Sequence, residues 1–211
     1  LLQHIVNEGM GFQLDYGPDC PAASYYEDVG VEGFDEYLCW AIHFAVEMGV
    51  DTGSGVPNRF EPEREVNQAE AWKMITRLVG FVPWEFGDCA DILADEWYRP
   101  FFGTVCDKGL VPVVPEPAEP LTMNEWYSYS ANLYAYMQEP ITRLKFSEIL
   151  LGTHHDLIIP IEDCVTQYED VEDSTFECVI STWMLDIGLL DPAQVNFRPQ
   201  DPMTWPEVMK L

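Results

Sequence analysis

Phe60-Glu61-Pro62-Glu63-Arg64-Glu65-Val66-Asn67-Gln68-Ala69-Glu70 is the stretch on which the fold turns, because the chain repeats it in register. A second copy runs Phe197-Arg198-Pro199-Gln200-Asp201-Pro202-Met203-Thr204-Trp205-Pro206-Glu207. Between them sits Pro115-Glu116-Pro117-Ala118-Glu119-Pro120-Leu121-Thr122-Met123-Asn124-Glu125. Each has a Pro, an apolar residue four later, then Asn or Thr, then a Glu three beyond. Asn67, Thr122 and Thr204 suit a helix N-cap, and Glu70, Glu125 and Glu207 stand where a capping box places its second acceptor. The upstream prolines keep the incoming chain extended. Each copy therefore predicts an extended lead-in and a capped helix. A partial fourth copy, Pro140-Ile141-Thr142-Arg143-Leu144-Lys145-Phe146, keeps the Thr cap but has Lys145 in place of the Glu.

A second phrase precedes each full copy: Tyr26-Glu27-Asp28-Val29, Phe86-Gly87-Asp88-Cys89 and Tyr168-Glu169-Asp170-Val171. A helical stretch follows each and stops at Gly49, Gly109 and Gly188, with Tyr37, Trp97 and Phe176 twelve residues before the stops. Asp reads as the N-cap of these helices and Gly as the residue just past their ends. One unit is then a helix, a Gly stop, a Pro-containing loop and a second helix. Such units stack, since none buries its apolar face alone.

This arrangement resembles the S-layer homology family. Ala41-Ile42 through Gly49, Trp97-Tyr98-Arg99-Pro100-Phe101-Phe102 through Lys108-Gly109, and Ile141-Thr142-Arg143 carry the resemblance, which spans about residues 26–211. It implies an all-α, pseudo-threefold module of three helix-loop-helix repeats with long Pro-rich loops. It also implies attachment to cell-wall polysaccharide without catalysis. The family's Thr-Arg pair contributes to glycan binding. Its Arg position is Gln68, Met123 and Trp205 in the three full copies, and only Arg143 keeps it. Thr142 and Arg143, with Trp97, Thr52 and Gly53, are the glycan contacts the resemblance implies. The chain divides into an N-terminal helix and lead-in (1–25), repeat 1 (26–80), repeat 2 (86–137), an insertion with the partial helix (138–165) and repeat 3 (166–211). The sequence starts at Leu1 and closes at Leu211 early in a helix, which reads as a trimmed piece of a longer protein.

Composition bounds the rest. The 211 residues, 47% apolar, suffice for one sizeable core. A net charge of −27, from 37 acids against 10 bases, opposes binding to nucleic acid or to an anionic membrane surface. That acidity reads first as a solvated surface and second as one that gathers cations such as Ca²⁺ or meets a basic partner. No cofactor is expected. No apolar run is long enough to span a bilayer.

Six cysteines without a C-x-x-C pair do not match zinc or haem spacing. Cys39 and Cys178 each lie ten residues before a Gly stop, and each has an earlier cysteine, Cys20 and Cys164. Cys89 and Cys106 fall in the middle repeat. One local disulfide per repeat is the expectation, and with it an extracellular, cell-surface location.

Several motifs carry less. Asp51-Thr52-Gly53-Ser54 matches an aspartic-protease phrase, but that chemistry needs paired carboxylates in β-rich lobes, so a turn is expected. His154-His155 lacks a third ligand at metal spacing. His43, inside an apolar helical stretch, is expected to find a backbone or carboxylate partner. In the run Trp126–Met137, the residues Trp126, Tyr129, Leu133, Tyr136 and Met137 form a core stripe, and Tyr127 and Tyr134 lie off it. No nucleophile elbow, P-loop or dinucleotide fingerprint occurs, so no enzyme is expected. Three readings of function stay open: a non-catalytic module held on cell-wall polysaccharide or in a surface layer; a structural subunit of an extracellular filament or complex, homo-oligomers included; and an acidic glycoside hydrolase.

Overall fold

The computed structural model describes residues 20–30, 36–47, 49, 57–83, 96–108, 132–152, 161–186 and 188–210. Among them the protein is helical, and its β contacts are isolated bridges. We number the helices α1 (Glu36–Glu47), α2 (Gln68–Leu78), α3 (Arg99–Asp107), α4 (residues 132–138), α5 (Arg143–Gly152), α6 (Phe176–Asp186) and α7 (Trp205–Lys210). Short 3-10 turns at Pro21–Ser24 and Ile161–Asp163 precede α1 and α6.

At the centre, three backbone segments close a ring. The amide of Val66 donates to Met203 O (2.8 Å), that of Met203 to Ile141 O (3.0 Å), and that of Ile141 to Val66 O (2.8 Å). Antiparallel bridges Glu65–Thr204, Thr142–Pro202 and Asn67–Pro140 flank these bonds. Val66, Ile141 and Met203 are buried, so a ring that satisfies its own amides also seats an apolar side chain from each segment. The third member comes from the partial phrase Pro140-Ile141-Thr142. The fuller phrase at 115–125 lies outside the described residues.

A helix leaves the ring after each apolar residue. For α2, Asn67 Oδ1 accepts from Glu70 N (2.9 Å) and Glu70 Oε2 accepts from Asn67 N (3.0 Å), the expected capping box. For α7, Glu207 Oε2 accepts from Thr204 N (2.9 Å) and Oγ1 (3.1 Å). For α5, Thr142 Oγ1 accepts from Lys145 N (3.2 Å). Each ring helix packs against a helix of the other set: α2 on α3, α5 on α6, and α7 on α1. Trp72 of α2 stacks on Phe102 of α3 with centroids 5.3 Å apart, and Phe60 tilts against Trp205 at 5.3 Å. All four rings are buried, a burial that stabilises by roughly 1.5–3 kcal/mol per large side chain.

Gly49 (φ 66°) and Gly188 (φ 74°) stop α1 and α6 as expected, and Gly80 (φ 71°) does the same for α2. After Gly80 and Gly188 the chain turns back, with Phe81 N donating to Thr76 O and Leu189 N to Met184 O, both at 2.9 Å. Gly109 lies outside the described residues.

Two expectations are corrected. Asp28 and Asp170 do not cap helices; Thr175 caps α6, accepting from Cys178 N at 3.2 Å. Asp28 instead accepts from the amides of Phe60 (2.9 Å) and Glu61 (2.8 Å), and Asp170 from those of Phe197 (2.8 Å) and Arg198 (2.6 Å). Each carboxylate thus clamps the loop that feeds the ring. Glu61 and Arg198 take the left-handed conformation (φ 56° and 59°), which aims consecutive amides at one carboxylate. His43 is the second correction. Its Nδ1 has no hydrogen-bond partner, and its ring lies between aromatic neighbours, stacked on Tyr25 at 5.8 Å and edge-on to Trp40.

Disulfides join Cys20 to Cys39 and Cys164 to Cys178, with Cα atoms 5.6 and 6.1 Å apart. Cys106 is disulfide-bonded, and its expected partner Cys89 lies outside the described residues. The described part of the aromatic run behaves as a core stripe: Leu133 and Met137 are buried, Tyr136 is half-buried, and Tyr134 points outward.

Candidate functional site

A cleft of about 720 Å³ opens beside the ring, between the start of α5, the start of α7 and the loop after Gly188. Met203 and Leu190, both buried, contribute apolar floor. Arg143, Glu207, Asp191, Gln194, Asn196 and Arg198 supply its polar lining.

Arg143 is the best-held of these groups. The ring sets its backbone, since its amide donates to Asp201 O at 3.0 Å. Its guanidinium Nη2 donates to Glu207 Oε1 at 2.7 Å, a pair in which the Arg side chain is 9% exposed and the Glu 31%. Glu207 is itself fixed, because its other oxygen closes the α7 cap. Its two oxygens therefore serve different elements and couple α5 to α7. The Nε of Arg143 has no hydrogen-bond partner. A held cation at the wall of an open, partly apolar cleft is suited to a ligand rich in oxygen acceptors.

The opposite wall is a built loop. Asp191 Oδ1 accepts from Ala193 N (2.8 Å) and Asp191 O from Gln194 N (3.0 Å), a local turn of the kind Asp favours. Gln167 Nε2 reaches Pro192 O at 3.4 Å and ties the loop to the segment before α6. At the far end Arg198 donates to Asp201 Oδ2 at 2.6 Å. Gln194 and Asn196 thereby stand on a braced turn.

Thr142 caps α5, and Arg143 is in the cleft. Trp97 is elsewhere: it is 52% exposed at the start of α3, with the Lys73 ammonium 5.8 Å from its ring centre, and it does not line the cleft. Thr52 and Gly53 lie outside the described residues. The other two family Arg positions are core, with Gln68 at 5% exposure and Trp205 at 0%. The sequence reading did not name Asp191, Gln194, Asn196, Arg198 or Glu207 as site residues. A signal was there: Asp191 and Pro192 stand third and fourth after Gly188, as Thr52 and Gly53 do after Gly49.

No cluster of His, Cys, Asp and Glu able to hold a metal occurs among the described residues, and none of their helices is long and apolar enough to cross a membrane. No known family model matches the chain, and no curated protein is significantly similar to it.

Proposed function

We propose that this chain is a non-catalytic module of the cell exterior. It anchors a surface protein to cell-wall polysaccharide, or within a surface layer, through the cleft around Arg143. We read the ring as the axis of a pseudo-threefold, S-layer-homology-like module whose three members are led by Val66, Ile141 and Met203. The observation that carries the reading is Arg143 itself: the one residue at the family's Arg position that is still an Arg also lines the cleft. A saccharide offers hydroxyls to Gln194 and Asn196, ring faces to Met203 and Leu190, and oxygen acceptors to the guanidinium. Engagement of both Glu207 oxygens by Arg143 and Thr204 favours a binding role over acid–base work. The disulfides suit an oxidising exterior.

Sedimentation with purified cell-wall sacculi tests this. The wild-type chain is expected to pellet with sacculi. Asn196→Ala and Gln194→Ala, on the cleft rim, weaken pelleting several-fold, and Arg143→Met abolishes it while circular dichroism stays unchanged. A folded chain that stays in the supernatant, or rim variants that pellet like wild type, would falsify the reading. Using the rim variants keeps the test sound if loss of Arg143 unfolds α5 from α7.

A further inference from the structure

Charge is unevenly spread over this acidic chain, and the unevenness has a place in the fold. Four of its 10 cations, Lys73, Arg77, Arg99 and Lys108, lie on α2, on α3 or just past α3. Three of them sit against aromatic rings along the α2–α3 seam. Lys73 Nζ is 5.8 Å from the Trp97 ring centre, Arg77 Cζ is 5.5 Å from Phe101, and Lys108 Nζ is 5.8 Å from Phe81. Trp97 and Phe101 touch edge to face at 6.4 Å, which joins the Lys73 and Arg77 sites. Phe101 is buried beneath this strip, while Trp97 (52%) and Val82 (81%) are open to solvent and Arg77 and Lys108 are exposed. Among the described residues Glu96 adjoins the strip, next to Trp97 in the chain, and Glu70 of α2 is turned inward to its cap and to Arg64.

The opposite chemistry is found on the segment before α6. Residues 161–177 hold seven acids and no base. Among those acids stand exposed apolar side chains: Val165 at 74%, Ile161 at 45% and Phe176 at 44%. The segment is rigid. The Cys164–Cys178 disulfide, the Ser174 N to Cys164 O bond (3.0 Å) and the Thr166 N to Asp173 Oδ1 bond (2.9 Å) hold it as one surface. One face thus pairs aromatic surface with cations, and the other pairs aliphatic surface with carboxylates.

We propose that these two faces are the halves of one interface between copies of this chain, joined head to tail. The α2–α3 strip of one copy seats on residues 161–177 of the next. At −27, two copies repel in most orientations, so the acids of one meet attraction only where the other presents its cations. Aromatic and Arg side chains are the residue types that supply interface energy, and complementary charge fixes the orientation. Because the two faces differ, the contact is heterologous and propagates into chains or closed rings rather than stopping at a symmetric pair. The interface uses none of the residues that line the Arg143 cleft, so it stands whether or not the cleft binds glycan.

The experiment is sedimentation velocity of three folded proteins from micromolar to millimolar concentration. Wild type is expected to grow past a dimer as concentration rises. Arg77→Ala with Lys108→Ala breaks the strip, and Glu162→Gln with Glu172→Gln breaks the acidic face. Each is expected to associate about tenfold more weakly or not at all. An equimolar mixture of the two retains one good strip and one good acidic face, and is expected to stop at a one-to-one dimer. The acidic-face variant is the sharper of the pair, because it carries less net negative charge yet should associate less. Stronger self-association of that variant, wild-type monomers at every concentration, or a mixture that stays monomeric would overturn the proposal. So would retention of soluble acidic polysaccharide by the strip without self-association, which would assign it to an anionic glycan. Both variants should still pellet with sacculi, so the two proposals fail separately.

Discussion

The first and last ring segments are built alike from copies of one phrase. In both, an Asp clamps two consecutive amides, the second from a left-handed residue, and the amide before the Asp reaches the far loop. Glu27 N donates to Asn58 O and Glu169 N to Val195 O, both at 2.9 Å. In both, an aromatic two before the Asp packs on the clamped Phe: Tyr26 on Phe60 at 5.5 Å, Tyr168 on Phe197 at 5.9 Å. They part at the capping Glu. Glu70 pairs with Arg64 of its own lead-in at 2.6 Å, while Asp201 stands at Arg64's position in the last segment. Glu207 therefore takes its cation from outside, as Arg143 at 2.7 Å. The shared skeleton is a folding device, and the difference in ion pairing places Arg143 and Glu207 together at the cleft. The Ile141 segment has no Phe-x-Pro and, among the described residues, no clamp; it enters the ring from α4 and holds its place by the same backbone bonds.

The largest test of that equivalence is the disulfides. Their loops are similar, with sequence separations of 19 and 14. Replacing both cysteines of either pair by Ser is expected to destabilise by about 3 kcal/mol, with the Cys20–Cys39 pair ahead by a few tenths. Urea unfolding measures both. A difference of several kcal/mol would mean that one unit leans on its bridge and the other does not. The clamps come next. Asp28→Ala and Asp170→Ala each remove a charged acceptor from two amides, which predicts a loss of roughly 2–4 kcal/mol in either case. If one is neutral, the clamp geometry is shared but its role is not.

How much of this could be read from sequence follows from how far apart the interacting residues lie. Capping boxes act over three residues, so the full box of α2 was legible, as was the Glu207 half at α7, where Thr204 Oγ1 donates to Glu207 and does not accept from the helix. The Cys20–Cys39 and Cys164–Cys178 pairs were legible because both second cysteines keep one distance from a Gly stop. The clamps were not, since Asp28 and Phe60 are 32 residues apart and the nearest local task for an Asp is a helix cap. The Ile141 ring member was undervalued for the same reason. Its phrase lacks the capping Glu, and what seats it is backbone bonding to Val66 and Met203, which leaves no mark on side-chain pattern. Arg143 was found by resemblance, but its partner Glu207 lies 64 residues away.

A smaller contrast concerns the residue two past each clamp. Gly30 takes φ 78°, and a Cβ there would lie 3.0 Å from the Cβ and Sγ of Cys20 and from the Cβ of Ala23. Its counterpart Glu172 is exposed and not left-handed. Gly30→Ala is therefore expected to cost about 1–2 kcal/mol from the left-handed backbone, with crowding against the disulfide added. Glu172→Ala should stay within about 0.5 kcal/mol. Equal effects would place the Gly30 requirement outside the Cys20 contact.

The smallest effect separates the clamp's charge from its shape. Burial alone would raise the Asp28 carboxyl, but the amides of Phe60 and Glu61, its own amide and nearby Arg59 outweigh it and hold it below its ordinary value in the folded chain. A carboxylate lowered on folding adds stability that is present above the unfolded pKa and lost as pH falls through the folded one. The Asp28 contribution should thus be whole at about pH 5 and be lost as pH falls from the unfolded pKa, about 3.9, through the lowered folded one. Acidification also relieves the repulsion among the remaining carboxylates of a −27 chain, so the wild-type curve alone cannot isolate it. Asp28→Asn does: it keeps the shape and one acceptor but cannot titrate. Its urea midpoint should lie below wild type at about pH 5 and converge on it as pH falls through the lowered Asp28 pKa. Curves that stay parallel down to pH 2.5 would show that the clamp works by shape, and that the Asp28 charge contributes nothing to holding Phe60 and Glu61.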